Sequence, residues 1–278
     1  MRLGIFAKTF ARASIEEVLD AVVAHGLGCI QFNFACAGLP SLPEQVGVAL
    51  VNRITRAIRE RNVEVAAVSG TFNLIHPDTA RREDDFRRFE TVSANSIALG
   101  SRLVTLCTGT LNPDDMWRDH PENNSAGAWK LMRSGVERAL SVAERFDLWL
   151  GIEPEMANVV NSAAKARRLL NEVKSPRLKI VMDAANLLSH ESFPEARLIL
   201  EEAFDKLGAD IAIAHAKDLS RNGSFAAAGK GDVPFDVYLR LLANSGFRGP
   251  LILHGLDEKE VDASVRFLRK HMSMTKAN

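Results

Sequence analysis

Short apolar runs rich in β-branched residues recur along the chain, at Leu3–Ala7, Cys29–Phe34, Val63–Val68, Leu103–Cys107, Leu148–Ile152, Leu178–Met182, Ile211–Ala214 and Leu251–Leu253. Between them, apolar positions return every three or four residues, the period of a helix with one buried face. These segments open near Ser14, Glu44, Arg82, Gly127, Ser162, Pro194, Pro234 and Glu258. Ser14 followed three residues later by Glu17 predicts a capping box, and Pro194 and Pro234 stand where a first helical turn tolerates proline. Strand then helix, repeated eight times, predicts βα units around a parallel sheet.

The chain has 278 residues, enough for two domains at roughly 100–200 residues each, or for one large barrel. No Pro/Gly/Ser-rich linker and no shift of composition divides it. The economical expectation is therefore an α/β fold, a single (β/α)8 TIM barrel spanning residues 1–278. The longest non-helical stretch, about residues 108–125, holds Asn112, Pro113, Trp117, His120 and Pro121. It predicts an extended loop after the fourth strand, either a lid over the barrel mouth or a surface insertion whose Trp117 packs on the rim. The last six residues, SMTKAN, read as a frayed C-terminal tail.

Lys plus Arg number 35 and so do Asp plus Glu, giving a formal net charge of zero. Such a chain offers no general field for phosphate backbones or anionic lipid, so nucleic acid and membrane are not expected partners. The three cysteines, Cys29, Cys36 and Cys107, form no CxxC pair. With no signal-like apolar run, they fit a reducing, cytoplasmic setting.

Active sites of (β/α)8 barrels form at the C-terminal ends of the strands. The fifth run continues to Glu153, the sixth to Asp183, the seventh to His215 and the eighth to His254, separated by 30, 32 and 39 residues. Each spacing is about one βα unit, so the four side chains converge from neighbouring strands. Taken singly, Glu153 reads as a loop charge, Asp183 as a helix cap and each histidine as a satisfied core residue. Together, two carboxylates and two imidazoles aimed at one point need pairing, neutralisation or a cation. Oxygen and nitrogen donors without thiolate predict one divalent cation, with Mn²⁺ or Zn²⁺ favoured and Co²⁺, Fe²⁺ or Mg²⁺ admissible.

The stretches IEP at Glu153, VMD at Asp183, HAKD at His215–Asp218, GKGDVPF at Gly229–Phe235 and TFNLIHPD at Thr71–Asp78 resemble, in order and spacing, the xylose isomerase-like TIM barrels, specifically their sugar phosphate isomerase/epimerase group. The resemblance runs nearly end to end. It implies that Glu153, Asp183 and His215 are metal ligands and that Glu153 is also the proton-transferring base. It places Arg221 where related epimerases hold substrate oxygens. His76 and Lys217 are weaker substrate-binding candidates, since His76 can simply cap the loop before Pro77 and Lys217 can simply neutralise Asp218 or neighbouring carboxylates. GKGDVPF reads as a turn that starts a helix, because it lacks the P-loop pattern.

Two departures from the family pattern matter. His254 stands where the family usually has a glutamate that is both ligand and second acid/base. Asn186 stands where a substrate-binding histidine is common, with His190 near enough in sequence to substitute. An amide both donates and accepts, so Asn186 can preserve hydrogen bonding. A two-base epimerase needs competent groups on both faces of the enediolate, whereas same-face isomerisation needs one mobile base.

The expected function is a divalent-metal-dependent isomerase or epimerase of a small sugar, sugar derivative or hydroxy-keto acid, acting through an enediolate. Glu153 is its general base, His254 its altered second catalytic position, and Asp183, His215 and His254 complete the metal site. One alternative is a lyase of the inosose dehydratase type on the same barrel. Another is a non-catalytic sugar-binding barrel disabled by His254. A DNA-cleaving reading, by analogy with endonuclease-IV-like relatives that carry a multi-zinc cluster, fails because only His76, His120, His190, His215 and His254 of the seven histidines can approach the mouth. The resemblance also allows a homo-oligomer.

Overall fold

The computed structural model of the protein describes residues 1–276, apart from the side chains of His190, Thr275 and Lys276. The strands are β1 (Arg2–Phe6), β2 (Cys29–Phe32), β3 (Glu64–Ser69), β4 (Leu103–Cys107), β5 (Trp149–Glu153), β6 (Leu178–Asp183), β7 (Ile211–Leu219), β8 (Phe225–Ala227) and β9 (Pro250–Leu253). Eight of them, all but β8, pair in parallel from β1 through β7 and β9 and back to β1. The result is a closed (β/α)8 barrel. Its outer ring is α1 (Ile15–Ala24), α2 (Val48–Glu60), α3 (Thr79–Ser96), α4 (Ala126–Arg145), α5 (Ala163–Val173), α6 (Ala196–Leu207), α7 (Phe235–Asn244) and α8 (Val261–Lys276).

Helix starts follow local chemistry. Ser14, Asp78, Ser125 and Ser162 each accept a backbone N–H of the first turn they precede. Glu17 reaches back to the N–H of Ala13 at 3.2 Å, one residue before the predicted partner. The second helix begins at Val48 instead of Glu44, because Gly47 is extended and serves as N-cap. α8 continues to Lys276, through most of the stretch expected to fray, while Ala277 and Asn278 lie outside the described residues.

Period-two alternation of the strands builds the barrel interior in layers. Cys29, Ala67, Leu103, Val181, Ile213 and Ile252 form a small apolar plug separate from the main core between barrel and helices. Two residues further along each strand, on the same face, stand Gln31, Ser69, Thr105, Asp183, His215 and His254. Glu153 joins them above Gly151, where a Cβ would come within 3.0 Å of Val181. An apolar floor thus carries a polar ring at the C-terminal end.

The loop after β4 is held from beneath by three buried amides. Asn73 donates to Thr110 O (2.8 Å) and accepts from Thr110 N (3.0 Å). Asn158 accepts from Gly109 N (2.6 Å), and Asn123 accepts from Leu111 N (2.9 Å). Gly109 has φ +79°, and a Cβ there would stand 2.1 Å from Asn73 Oδ1, so only glycine fits.

Candidate metal and catalytic site

The polar ring brings Glu153, Asp183, His215 and His254 together with Lys217 and Asn186. One ligand atom each from Asp183, His215 and His254 lies within 4.8 Å of the others, so these three could hold a metal ion. His215 and His254 stack in parallel, centroids 5.0 Å apart at 2°, and Phe6 stacks on the far side of His254 at 5.2 Å.

Glu153 Oε1 lies 3.1 Å from His215 Nδ1 and accepts from Asn186 Nδ2 at 2.9 Å. Asn186 in turn accepts from Lys217 Nζ at 2.5 Å. Lys217 Nζ is 3.4 Å from Asp183 Oδ2 and 3.8 Å from the centroid of the Phe225 ring. On the other side of His215, Nε2 lies 2.8 Å from Gln31 Oε1, whose Nε2 donates to Thr105 Oγ1 at 3.3 Å.

Asp183 combines two roles that stood as alternatives in the sequence. Its Oδ1 accepts from Ala185 N at 2.9 Å, as a cap does. Its Oδ2 is buried without a hydrogen bond, and so is His254 Nδ1. A buried polar atom without a hydrogen bond is costly unless something offsets it; for Oδ2 the Lys217 ammonium at 3.4 Å does so in part, and His254 Nδ1 has no such partner. A carboxylate oxygen and an imidazole nitrogen beside a third donor fit a divalent cation.

Charges here are mutually dependent. Burial pushes the Glu153 pKa up, but His215 and Lys217 outweigh it and hold the carboxyl below its ordinary value. Burial pushes His215 down, but Glu153 and Asp183 outweigh it, so its pKa ends raised. Lys217 follows the same logic, with Asp183, Glu153 and Glu155 overcoming burial. His254 is the opposite case: burial, then His215 and Lys217, push it down to about 3, which keeps it neutral.

Other candidates stand elsewhere. Arg221 lies in the turn after β7, its side chain 79% exposed, and pairs with Asp232 Oδ1 at 3.0 Å. His76 sits beside the loops after β3 and β4; Nδ1 accepts from Asp78 N (3.1 Å) and Nε2 faces Pro113 O (2.9 Å). The His190 side chain lies outside the described residues. Of the carboxylates open to it, Lys217 neutralises the neighbouring Asp183 and not Asp218, which points to the other face of β7. Asp218 Oδ1 accepts from Leu219 N and Val233 N, and Oδ2 from Gly229 N, so HAKD and GKGDVPF are clamped together as one structural unit.

Gln31, Thr105 and Glu155 belong to this site and were not expected from the sequence. Gln31 and Thr105 obey the same two-residue step beyond an apolar position as the four predicted ligands. Glu155 follows Pro154 in the loop; burial pushes it up to about 7, with Lys217 opposing and Glu153 and Asp183 reinforcing.

The xylose isomerase-like TIM barrel family matches residues 19–271. The chain belongs to that family. Among solved structures, it is similar to 3-keto-D-glucoside 4-epimerase YcjR from E. coli, at 18% identity over 97% of this chain and 99% of that one, TM-score 0.71. D-psicose 3-epimerase from Clostridium cellulolyticum H10, solved with D-tagatose, gives 16% identity over 98% and 99%, TM-score 0.73. A xylose isomerase-like TIM barrel protein from Mycobacterium smegmatis, in complex with magnesium, gives 14% over 94% and 88%, TM-score 0.71. At these identities the likeness establishes the fold. No curated protein matches the chain significantly in sequence. Among the described residues, no helix is long and apolar enough to cross a membrane.

Proposed function

We propose that the protein is a divalent-metal-dependent isomerase or epimerase of a small sugar, sugar derivative or hydroxy-keto acid. The observation that carries the reading is that Asp183 Oδ2, which faces the Lys217 ammonium at 3.4 Å, and His254 Nδ1 are both buried without a hydrogen bond and grouped with His215 beside a held glutamate. The family and its sugar-epimerase neighbours support the same reaction class.

Asp183, His215 and His254 would hold the cation, with Glu153 adjacent. When bound, the cation would polarise the substrate carbonyl and stabilise charge developing on its oxygen. Glu153 takes the proton from the neighbouring carbon. Its Oε1 carries the contacts to His215 and Asn186, while Oε2 has no hydrogen bond among the described residues and is the oxygen placed to act. Lys217, fixed by Asn186 and Asp183, adds a permanent positive charge beside the developing anion.

His254 is assigned here to the metal and not to proton transfer. As a ligand its Nδ1 would be occupied, and burial, with His215 and Lys217, pushes its pKa down. Return of the proton by Glu153 to the adjacent carbon on the same face is therefore the favoured course, which is aldose–ketose isomerisation.

The test is incubation of the Mn²⁺-loaded protein with a panel of ketoses and hydroxy-keto acids in D₂O, followed by NMR and mass spectrometry. The reading expects deuterium at the carbon next to the carbonyl, and its loss in Glu153→Gln. Loss of water from the product would assign the lyase reaction instead, and no exchange with any member of the panel would contradict enzymatic turnover.

A further inference from the structure

A second cavity, of about 320 Å³, opens beside the metal site between the loops that follow β3 and β4. Thr71, in its wall, donates to Thr105 O at 3.5 Å, and Thr105 is the partner of Gln31, which holds His215. Two contacts within the barrel thus separate the cavity wall from the residue that binds a metal ligand. Its other functional lining residues are His76, Arg81, Asp85 and Trp117.

The polar groups here have unused capacity. His76 Nδ1 accepts from Asp78 N, so its Nε2 bears the hydrogen and donates to Pro113 O. Arg81 Nη1, 3.2 Å from that same Nε2, therefore finds no acceptor there, and Arg81 makes no ion pair among the described residues. Asp85, one helical turn further along α3, is half-buried and has no hydrogen bond or ion pair among them. Trp117 is 55% exposed although its loop is rigidly built: Asp115 Oδ1 accepts from Trp117 N at 2.9 Å, and Thr110 Oγ1 donates to Arg118 O at 3.0 Å. An aromatic plane is thus held out towards the cavity mouth at the cost of its own burial.

An unpartnered donor, an unpartnered acceptor and an exposed indole around a cavity of this size suit a neutral ring bearing hydroxyls. The C–H face of a sugar packs on the indole, and the guanidinium and carboxylate each take vicinal hydroxyls. A phosphate fits poorly, because the lining holds one guanidinium, Arg81, and three carboxylates, Asp85, Asp114 and Asp115. We propose that this cavity binds a second, non-reacting sugar ring, so that the substrate class is a neutral glycoside or disaccharide and not a free monosaccharide. The assignment of the reacting ring rests on the metal-site reading above; the cavity itself does not.

The test is calorimetric titration of the Mn²⁺-loaded protein with glucose, methyl glucoside, cellobiose, maltose, trehalose and lactose. The proposal expects at least one disaccharide to bind about ten-fold tighter than its component monosaccharide. It expects Arg81→Ala and Trp117→Ala, both exposed positions, to erase that margin. Equal affinities for mono- and disaccharides, or a margin that survives in both variants, would overturn it. Titration of Asp183→Ala separates the two readings: disaccharide binding that persists there and still depends on Trp117 upholds the cavity even if the metalloenzyme reading fails.

Discussion

His215 is gripped at both ring nitrogens, with Nδ1 3.1 Å from Glu153 Oε1 and Nε2 2.8 Å from Gln31 Oε1. Both partners are acceptors, so both nitrogens are placed to donate, in line with the raised pKa that Glu153 and Asp183 give the ring against burial. A metal can take Nδ1 only after its proton leaves. Metal binding near neutral pH is therefore expected to release about one proton per site. Calorimetry of Mn²⁺ binding in buffers of different ionisation enthalpy measures this; a buffer-independent heat would mean that His215 is not a ligand.

Gln31 fixes the ring so that Nδ1 faces Glu153 and Asp183. Such a partner of a ligating histidine typically contributes about 10–100-fold to metal affinity. Gln31→Leu is expected to weaken Mn²⁺ binding by about that factor while leaving Glu153 in place, as read by competition with a chelating dye. Unchanged affinity would show that the stacked rings of Phe6 and His254 orient His215 sufficiently.

Without a cation, Glu153 and Asp183 are balanced by His215 and Lys217. Lys217→Met removes one buried positive charge, and breaking such a pair costs about 3 kcal/mol. Urea unfolding of the metal-free variant is expected to show that loss, and added Mn²⁺ is expected to raise its midpoint more than that of the unaltered protein. Equal metal-induced shifts would place Lys217 outside the charge balance of the site.

Asp85 carries a pKa raised by burial, against the lowering effect of Arg81, with Asp84 reinforcing and His76 and Arg88 opposing. A carboxyl whose folded pKa exceeds its unfolded value loses stability as pH rises from the unfolded value through the folded one. At neutral pH its ionised form therefore destabilises the fold. Asp85→Asn is expected to raise the urea midpoint at pH 7 and to leave it unchanged near pH 3. A destabilised variant at pH 7 would show that the ionised carboxylate is structurally needed.

The barrel was legible in the sequence because each of its eight strands is an apolar run long enough to stand apart from the helical period. Glu153, Asp183, His215 and His254 were legible because they end such runs. Gln31 and Thr105 were not, because an uncharged polar residue inside CIQFNF or LVTLC carries no visible chemistry until alternation assigns it to the interior. β8 was hidden because its three residues, Phe225–Ala227, pair only with an extension of β7 that the apolar run Ile211–Ala214 did not mark. The orientation of Lys217, towards Asp183 and away from its neighbour Asp218, follows from the pleat of that longer strand. Which hydrogen bonds Asp183 leaves unmade is a matter of three-dimensional packing, and no spacing in the chain encodes it.

The proposed chemistry stands or falls with one cation bound at the strand ends, and metal content measures it. Protein purified without added cations, then supplied with Mn²⁺ or Zn²⁺ and desalted, is assayed by elemental analysis beside Asp183→Ala. The expected result is about one equivalent of divalent metal per chain, lost in the variant, whose fold is checked by circular dichroism. Absence of bound metal in the unaltered protein under both supplies would contradict a metal site built from Asp183, His215 and His254.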